Sequence, residues 1–189
     1  MQILIYKSNQ KMFRKLFLVS ILFIGVNSFA QEVDFGVQLG YTNVRVAASA
    51  MGTEVSENAS GFYVGFLTDF ELNENWHIQP SVNYFNVEET NFLSVPVMVQ
   101  YYIENSGFYL QAGPQGTIVL EDDPTTNAFG LDAAFGVGYH INENFFIEAR
   151  YGFELTNRYS KDIQDQAKQY DVDLDSGVNT LVFGVGYKF

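Results

Sequence analysis

From residue 33 onward the chain alternates apolar and polar residues with a period of two, in eight separate runs. A strand places successive side chains on opposite faces, so this period predicts strands rather than helices. The runs cover about 33–44, 60–71, 76–86, 92–103, 107–118, 128–140, 145–156 and 177–189. In the seventh, Ile147, Ala149, Tyr151, Phe153 and Leu155 form one face and Glu148, Arg150, Gly152 and Glu154 the other. The fourth is the most hydrophobic, with Leu93, Val95, Val97, Val99, Tyr101 and Ile103 against Ser94, Pro96, Met98, Gln100 and Tyr102. Proline donates no ladder hydrogen bond. Bulges or solvated strand ends are therefore expected at Pro80 and Pro114, with Pro96 near the same end of its own strand.

Three connections share one chemistry: Leu72-Asn-Glu-Asn-Trp76, Ile103-Glu-Asn-Ser-Gly-Phe108 and Ile141-Asn-Glu-Asn-Phe145. Each is a polar turn with an aliphatic residue before it and an aromatic residue after it. They start 31 and then 38 residues apart, the length of two strands plus a loop. Short turns are expected over 71–76, 104–107 and 140–145, and longer connections over about 45–60, 87–91, 119–127 and 157–176. Part of the last, Ser160–Gln169, is compatible with a short helix. An even number of strands joined by alternating short and long connections predicts an all-β fold. The expected architecture is an eight-stranded antiparallel up-and-down transmembrane β-barrel with both termini at the short-turn end.

Three observations point to a bilayer as the solvent. The runs are 11 to 13 residues long, whereas soluble strands average roughly five or six and a tilted spanning strand needs about 9–11. The face expected to point outward is almost free of charge, while Asp69, Asp132, Glu148, Arg150, Glu154 and Lys188 fall on the other. Aromatic residues gather near the strand ends, as interfacial girdles require. In a bacterial barrel of this kind the short turns face the periplasm and the longer loops face outside.

The first thirty residues differ from the rest. Lys7, Lys11, Arg14 and Lys15 precede the apolar run Leu16–Val26 and then Asn27-Ser28-Phe29-Ala30. This is the order of a secretory signal peptide, with Ser28 and Ala30 at the cleavage positions. The expected division is 1–30 signal peptide and 31–189 barrel domain, with translation starting at Met1 or Met12. An apolar run of this length is too short for the roughly 20 residues of a spanning helix, and a chain without Cys carries no lipoprotein anchor. After Gln31, 22 acidic residues stand against six basic ones, a net charge near −16. That balance excludes nucleic acid as a partner, because no basic stripe is present to meet phosphates.

The chain resembles the small outer-membrane beta-barrel domain family common in Bacteroidota-type bacteria, often called PorT-like. The resemblance rests on Phe35-Gly-Val-Gln-Leu-Gly-Tyr41, Phe92-Leu-Ser-Val-Pro-Val-Met-Val-Gln-Tyr-Tyr102, Gly107-Phe-Tyr-Leu-Gln-Ala-Gly-Pro114 and Leu181-Val-Phe-Gly-Val-Gly-Tyr-Lys-Phe189. It implies a location in the outer membrane and no defined activity. It also implies that Val185, Tyr187 and the terminal Phe189 form the signal read by the barrel-assembly machinery.

The candidate interior cluster is Asp132, Glu148, Arg150, Glu154 and Lys188, brought together by neighbouring strands six, seven and eight, with Asp34 and Gln38 nearby across the closing seam. Buried charge must be paired, so a salt-bridged polar filling is expected, with a water-filled path as the alternative. No catalytic residue, metal or cofactor is expected. His77 and His140 are the only histidines, and both map beside short turns. Ser81 shares a face with His77, a weak signal for a lipid-modifying enzyme. Glu121-Asp122-Asp123 and Asp171, Asp173 and Asp175 could offer oxygen ligands to calcium, but without the spacing of a calcium loop. The expected partners are outer-membrane lipid and lipopolysaccharide, with the assembly machinery during biogenesis, and the expected state is a monomer. The expected function is a non-enzymatic structural or surface-interaction role. A narrow channel is the alternative, and a soluble lipocalin-like carrier a third reading.

Overall fold

The computed structural model describes residues 33–50, 53–121, 127–159, 163, 167 and 174–189. The expected signal peptide lies outside them, as do most of the acidic loop positions. The strands are β1 (Val33–Ala50), β2 (Thr53–Asn73), β3 (Trp76–Val87), β4 (Thr90–Tyr102), β5 (Phe108–Val119), β6 (Phe129–His140), β7 (Phe145–Glu154) and β8 (Leu174–Lys188). Each pairs with the next in sequence, and β1 pairs with β8, closing an antiparallel barrel as the period-two pattern predicts.

The faces follow the alternation. Phe35, Val37, Leu39 and Tyr41 of β1 are exposed on the outer wall, as are Phe183, Val185 and Tyr187 of β8. Between them on the inside lie Gln38, Thr42 and Lys188, all buried. An apolar exterior around a polar interior inverts the soluble rule and fits a lipid solvent, where burying a polar group inside the wall is the only way to keep it from hydrocarbon.

The three matched turns have a common physical basis. Asn73 Oδ1 accepts hydrogen bonds from the backbone N–H of Asn75 and Trp76, both at 3.1 Å. Asn142 Oδ1 does the same for Asn144 at 3.0 Å and Phe145 at 2.8 Å. Ser106 Oγ plays this part in the third turn, accepting from Phe108 N–H at 3.2 Å. A side chain that mimics a backbone turn is why Asn and Ser recur there.

Three expectations need correction. The connection expected over 45–60 is mostly strand: β1 and β2 stay paired out to Ala50 and Thr53. Above the membrane neither face of that hairpin has to be greasy, so its sequence lacks a strand-like contrast. The connection expected over 87–91 shrinks to Glu88 and Glu89 between paired Val87 and Thr90. Glu88 there takes φ 51°, a left-handed conformation that rarely selects Glu. The prolines lie mid-strand, without bulges. Beside Pro80 and Pro96 the β3–β4 ladder breaks between Pro80↔Val97 and Asn83↔Ser94 and resumes in the same register. Beside Pro114 the β4–β5 ladder breaks between Pro96↔Gln115 and Val99↔Ala112, again without a shift. Proline removes one donor but leaves strand geometry intact, so the register survives. Among the described ladders the register shifts between Glu71 and Asn73, at a short turn. Within the stretch expected to be helical, Ile163 and Ala167 are helical and the other residues are outside those described.

Candidate functional site

The barrel interior holds side chains at three levels. At the short-turn end, Lys188 Nζ pairs with Asp69 Oδ2. Asp69 Oδ1 lies 3.1 Å from His77 Nδ1. A carboxylate only accepts, so His77 carries its proton on Nδ1. Tyr102 OH donates to Gln100 Oε1 at 3.2 Å and receives Lys188 Nζ at 3.4 Å. The same hydroxyl lies 3.1 Å from His140 Nε2, a hydrogen bond whose direction follows the imidazole tautomer. Rings complete the cap: His77 and Tyr102 have centroids 4.3 Å apart, Tyr102 and Tyr109 5.2 Å, and His140 and Phe146 5.8 Å. Asp69, Tyr109, Phe146 and Lys188 are buried.

The short turns position this cap. Backbone N–H groups of Tyr102, His140 and Lys188 donate to the carbonyls of Asn75, Gly107 and Asn144 respectively, each at 2.8 Å. The Asn75 and Asn144 side chains donate back to Tyr102 O at 3.2 Å and Lys188 O at 2.9 Å. Each turn thus clasps the end of the neighbouring strand, and the three clasped residues are those whose side chains meet inside. Asn at the last turn position supplies both the carbonyl and the amide for that clasp in two of the three turns.

Midway along the barrel, Gln38 Nε2 donates to Asn83 Oδ1 at 2.6 Å and Gln111 Nε2 to Glu148 Oε2 at 2.9 Å. Arg150 Nη2 lies 3.5 Å from Glu148 Oε1, an ion pair outside hydrogen-bond geometry. Tyr63, Leu67 and Met98 fill the remaining space and are fully buried. Glycines opposite make the room: a Cβ on Gly138 would overlap the Tyr109 ring, and one on Gly184 the Tyr63 hydroxyl.

Toward the long-loop end, Asp132 Oδ2 accepts from Thr117 Oγ1 at 2.6 Å and Gln115 Nε2 at 3.1 Å. Glu154 pairs with Arg158 at 2.5 Å and accepts from Val178 N–H at 2.6 Å. Arg158 Nη1 also donates to Ala128 O at 3.1 Å. Beside these charges Val44, Tyr63, Phe85, Val87 and Val182 form an apolar cluster. The gap left between Val44, Phe85, Ser94, Gln115 and Thr117 measures about 10 Å³, close to the space of a single water.

The five candidate interior residues are all buried, but they sit in three groups. Glu148 and Arg150 are paired, Asp132 and Glu154 are cross-strand neighbours, and Lys188 is engaged elsewhere with Asp69. Gln38 lies inside, whereas Asp34 is exposed. The outward Val185, Tyr187 and Phe189 are exposed, and Phe189 N–H donates to Phe35 O at 2.9 Å, tying the last residue to β1. Asp69, Tyr102 and the two histidines form a cap that periodicity alone misses. One signal would have found it: the inward residue nearest each short turn. Ser81 makes its contact with Asn83, not with His77. Among the described residues no group of three or more His, Asp or Glu side chains could hold a metal ion. Asp122, Asp123, Asp171 and Asp173 lie outside the described residues, as does the side chain of Asp175.

On the outside, Glu121 clamps the β3–β4 turn. Its carboxylate accepts from Asn91 N–H at 2.9 Å and from Asn91 Nδ2 at 2.9 Å, while Asn91 Oδ1 accepts from Tyr84 OH at 2.6 Å. Desolvation is the largest single influence and raises the Glu121 pKa, but the hydrogen bonds from Asn91 and the backbone together outweigh it and hold the carboxyl below its ordinary value. A lowered folded-state pKa means the clamp is fully formed above the ordinary carboxylate range and is lost as pH falls through the lowered value. The protection of the Asn91 amide against hydrogen exchange, taken relative to an unstructured amide at the same pH, should therefore be high at neutral pH and fall as the pH drops below about 4.3. Glu121→Gln should flatten that profile.

The comparisons agree with this geometry. The model of the outer membrane protein beta-barrel domain matches residues 16–189. No curated protein matches the sequence. Among solved structures, Neisserial surface protein A is similar at 17% identity and TM-score 0.50, covering 84% of this chain and 99% of that one. The attachment invasion locus protein of Yersinia pestis is similar at 20% identity and TM-score 0.49, covering 84% and 99%. OprG from Pseudomonas aeruginosa is similar at 15% identity and TM-score 0.43, covering 84% and 97%. A closed eight-stranded barrel with an apolar wall, matched by one family model over nearly its whole length, places the chain in the outer membrane as a member of the outer membrane protein beta-barrel domain family.

Proposed function

We propose that the protein is a non-enzymatic barrel with a side-chain-filled polar interior, acting in a structural or surface-interaction role. The observation that carries this reading is the three-level interior: a charged aromatic cap, a buried Glu148–Arg150 layer, and the Asp132, Glu154 and Arg158 group beside an apolar cluster. An eight-stranded interior is just wide enough to be filled by side chains. The short turns face the periplasm and the acidic long-loop end faces outside, where divalent cations bridge it to lipopolysaccharide. Val185, Tyr187 and Phe189 serve as the assembly signal, and the folded protein is a monomer. A finer kinship to PorT-like proteins is part of this proposal and is supported by the resemblance of Phe35–Tyr41, Phe92–Tyr102, Gly107–Pro114 and Leu181–Phe189.

Planar-bilayer recording tests the central claim. Protein that migrates differently in heated and unheated gels, and is therefore folded, should give no discrete conductance steps. Regular single-channel steps from such protein would overturn the filled interior in favour of a narrow channel.

A further inference from the structure

Where β7 ends, the outer wall opens. The β7–β8 ladder stops at Gly152↔Thr180, while β8 stays paired with β1 as far as Ala50↔Leu174. Beyond Gly152 the chain leaves β8 and follows β6 instead. Leu155 N–H donates to Leu131 O at 2.8 Å, and Leu131 N–H to Thr156 Oγ1 at 3.0 Å. The wedge between the two chains is a hollow of about 440 Å³, within the roughly 300–1,000 Å³ of small-molecule sites. Phe153 and Leu155 line one side, Ala47 and Ser49 the other, and Asn179 the membrane-side edge. Gly177 forms the floor, with nothing within 4 Å of its Cβ position. Behind it Glu154 Oε2 accepts Val178 N–H at 2.6 Å and closes the gap toward the lumen.

Alternation along β8 places the hollow on the outside. Phe183 is exposed on the wall, so Leu181, Asn179 and Gly177 share its face, and Val178 packs inward on the apolar cluster. The outward row of β8 reads Tyr187, Val185, Phe183, Leu181 and then Asn179 and Gly177. The hydrocarbon level therefore ends between Leu181 and Asn179. Beside that boundary the other wall stays apolar, with Phe153 50% and Leu155 60% exposed. Charge does not select the occupant. Arg45, the ladder partner of Asn179, gives Nη2 to Ser56 Oγ of β2 at 3.1 Å, and Glu154 is paired with Arg158. What the hollow offers is an amide and a hydroxyl opposite an aromatic ring, at headgroup height. A sugar ring matches both sides: its hydroxyl rim hydrogen-bonds and its C–H face is apolar.

We propose that the Gly177 hollow binds the sugar head of a membrane glycolipid. The ring lies against Phe153, its hydroxyls bond to Asn179 and Ser49, and its acyl chains run down the apolar wall below Leu181. The proposal deepens the lipid-contacting role given under Proposed function, and on the orientation given there the glycolipid belongs to the outer leaflet.

The test uses the full-length folded barrel in phosphatidylcholine nanodiscs, titrated with monoglucosyl diacylglycerol. The backbone amide resonances of Gly177 and Asn179 should shift saturably, and diacylglycerol with the same chains should leave them in place. Gly177→Leu fills the hollow from open space. It should abolish the shift at Asn179 while the heat-dependent gel shift and the unfolding midpoint stay those of the parent. Asn179→Ala removes one hydrogen-bonding group and should weaken binding, read at Gly177, by roughly tenfold. Equal shifts with diacylglycerol or with soluble methyl glucoside, or saturation untouched by Gly177→Leu, would each overturn the proposal. So would the same shifts in glycolipid-free discs loaded with two barrels, which would make a second copy the occupant. An epitope inserted between Ala50 and Thr53 and probed on intact cells tests the orientation separately. Staining without amide shifts sinks the sugar site and keeps the orientation; shifts without staining sink the orientation and keep the site.

Discussion

Asp69→Leu should lower the stability of the folded barrel by about 3–5 kcal/mol, the range expected when one member of a buried ion pair is removed. Asp69 is 2% exposed and holds both Lys188 and His77. Without it, a buried ammonium group keeps one hydroxyl contact, to Tyr102. The pair itself is less valuable than its loss suggests, because two charges had to be taken out of water to form it. Adding Lys188→Met to Asp69→Leu should therefore recover most of the lost stability. Lys188→Met alone should cost less than Asp69→Leu, because His77 still serves the carboxylate. Urea unfolding in lipid vesicles, followed through the single tryptophan, Trp76, gives the midpoints. A double variant no more stable than Asp69→Leu would show that the cap is not held by this charge pair.

The second large effect is steric. A Cβ on Gly186 would overlap the edge of the Phe146 ring at Cζ and Cε1. Phe146 is fully buried, and tight interiors accept no added atom without movement. Gly186→Ala should destabilise by about 3 kcal/mol, the upper part of the overpacking range, and should weaken the heat-dependent gel shift. Phe146→Leu in the same chain removes the colliding edge of the ring and should restore part of the stability. Gly177→Ala provides the contrast, since nothing lies within 4 Å of its Cβ position. It should leave the unfolding midpoint unchanged. Equal effects at 186 and 177 would refute the packing argument.

The strands and the interior charge groups differ in how visible they are from residues alone. Strand number and facing were legible because the bilayer demands an uncharged outer face, so Val137 and Ala149 outside contrast with Glu148 and Arg150 inside. Where that demand ends, so does the signal. The upper hairpin reads Val46-Ala-Ala-Ser-Ala50 and Val55-Ser-Glu-Asn-Ala59, a sequence with little contrast between faces, yet it is strand. The Glu88-Glu89 turn lacks the Gly or Asn that marks a left-handed residue. The grouping of charges was illegible for another reason. Asp69 and Lys188 are 119 positions apart, and they meet over β1, the strand between theirs, at a height set by the register of the closing seam. Periodicity gives each residue a face but no height. The matched turns carry part of that missing coordinate, because each grips the end of the neighbouring strand.

The seam between β1 and β8 also bears on how the chain folds. The ladder from Gly36↔Lys188 to Ala50↔Leu174 joins the two ends of the described barrel, so its contacts have the largest sequence separation the fold allows. Contacts of that kind form late and slowly. Until they form, two strands present unpaired backbone to a solvent that cannot hydrogen-bond it. A nascent barrel lacking β8 therefore has no comfortable place in the bilayer, and insertion and closure become a single event whose rate is set by the arrival of the final strand.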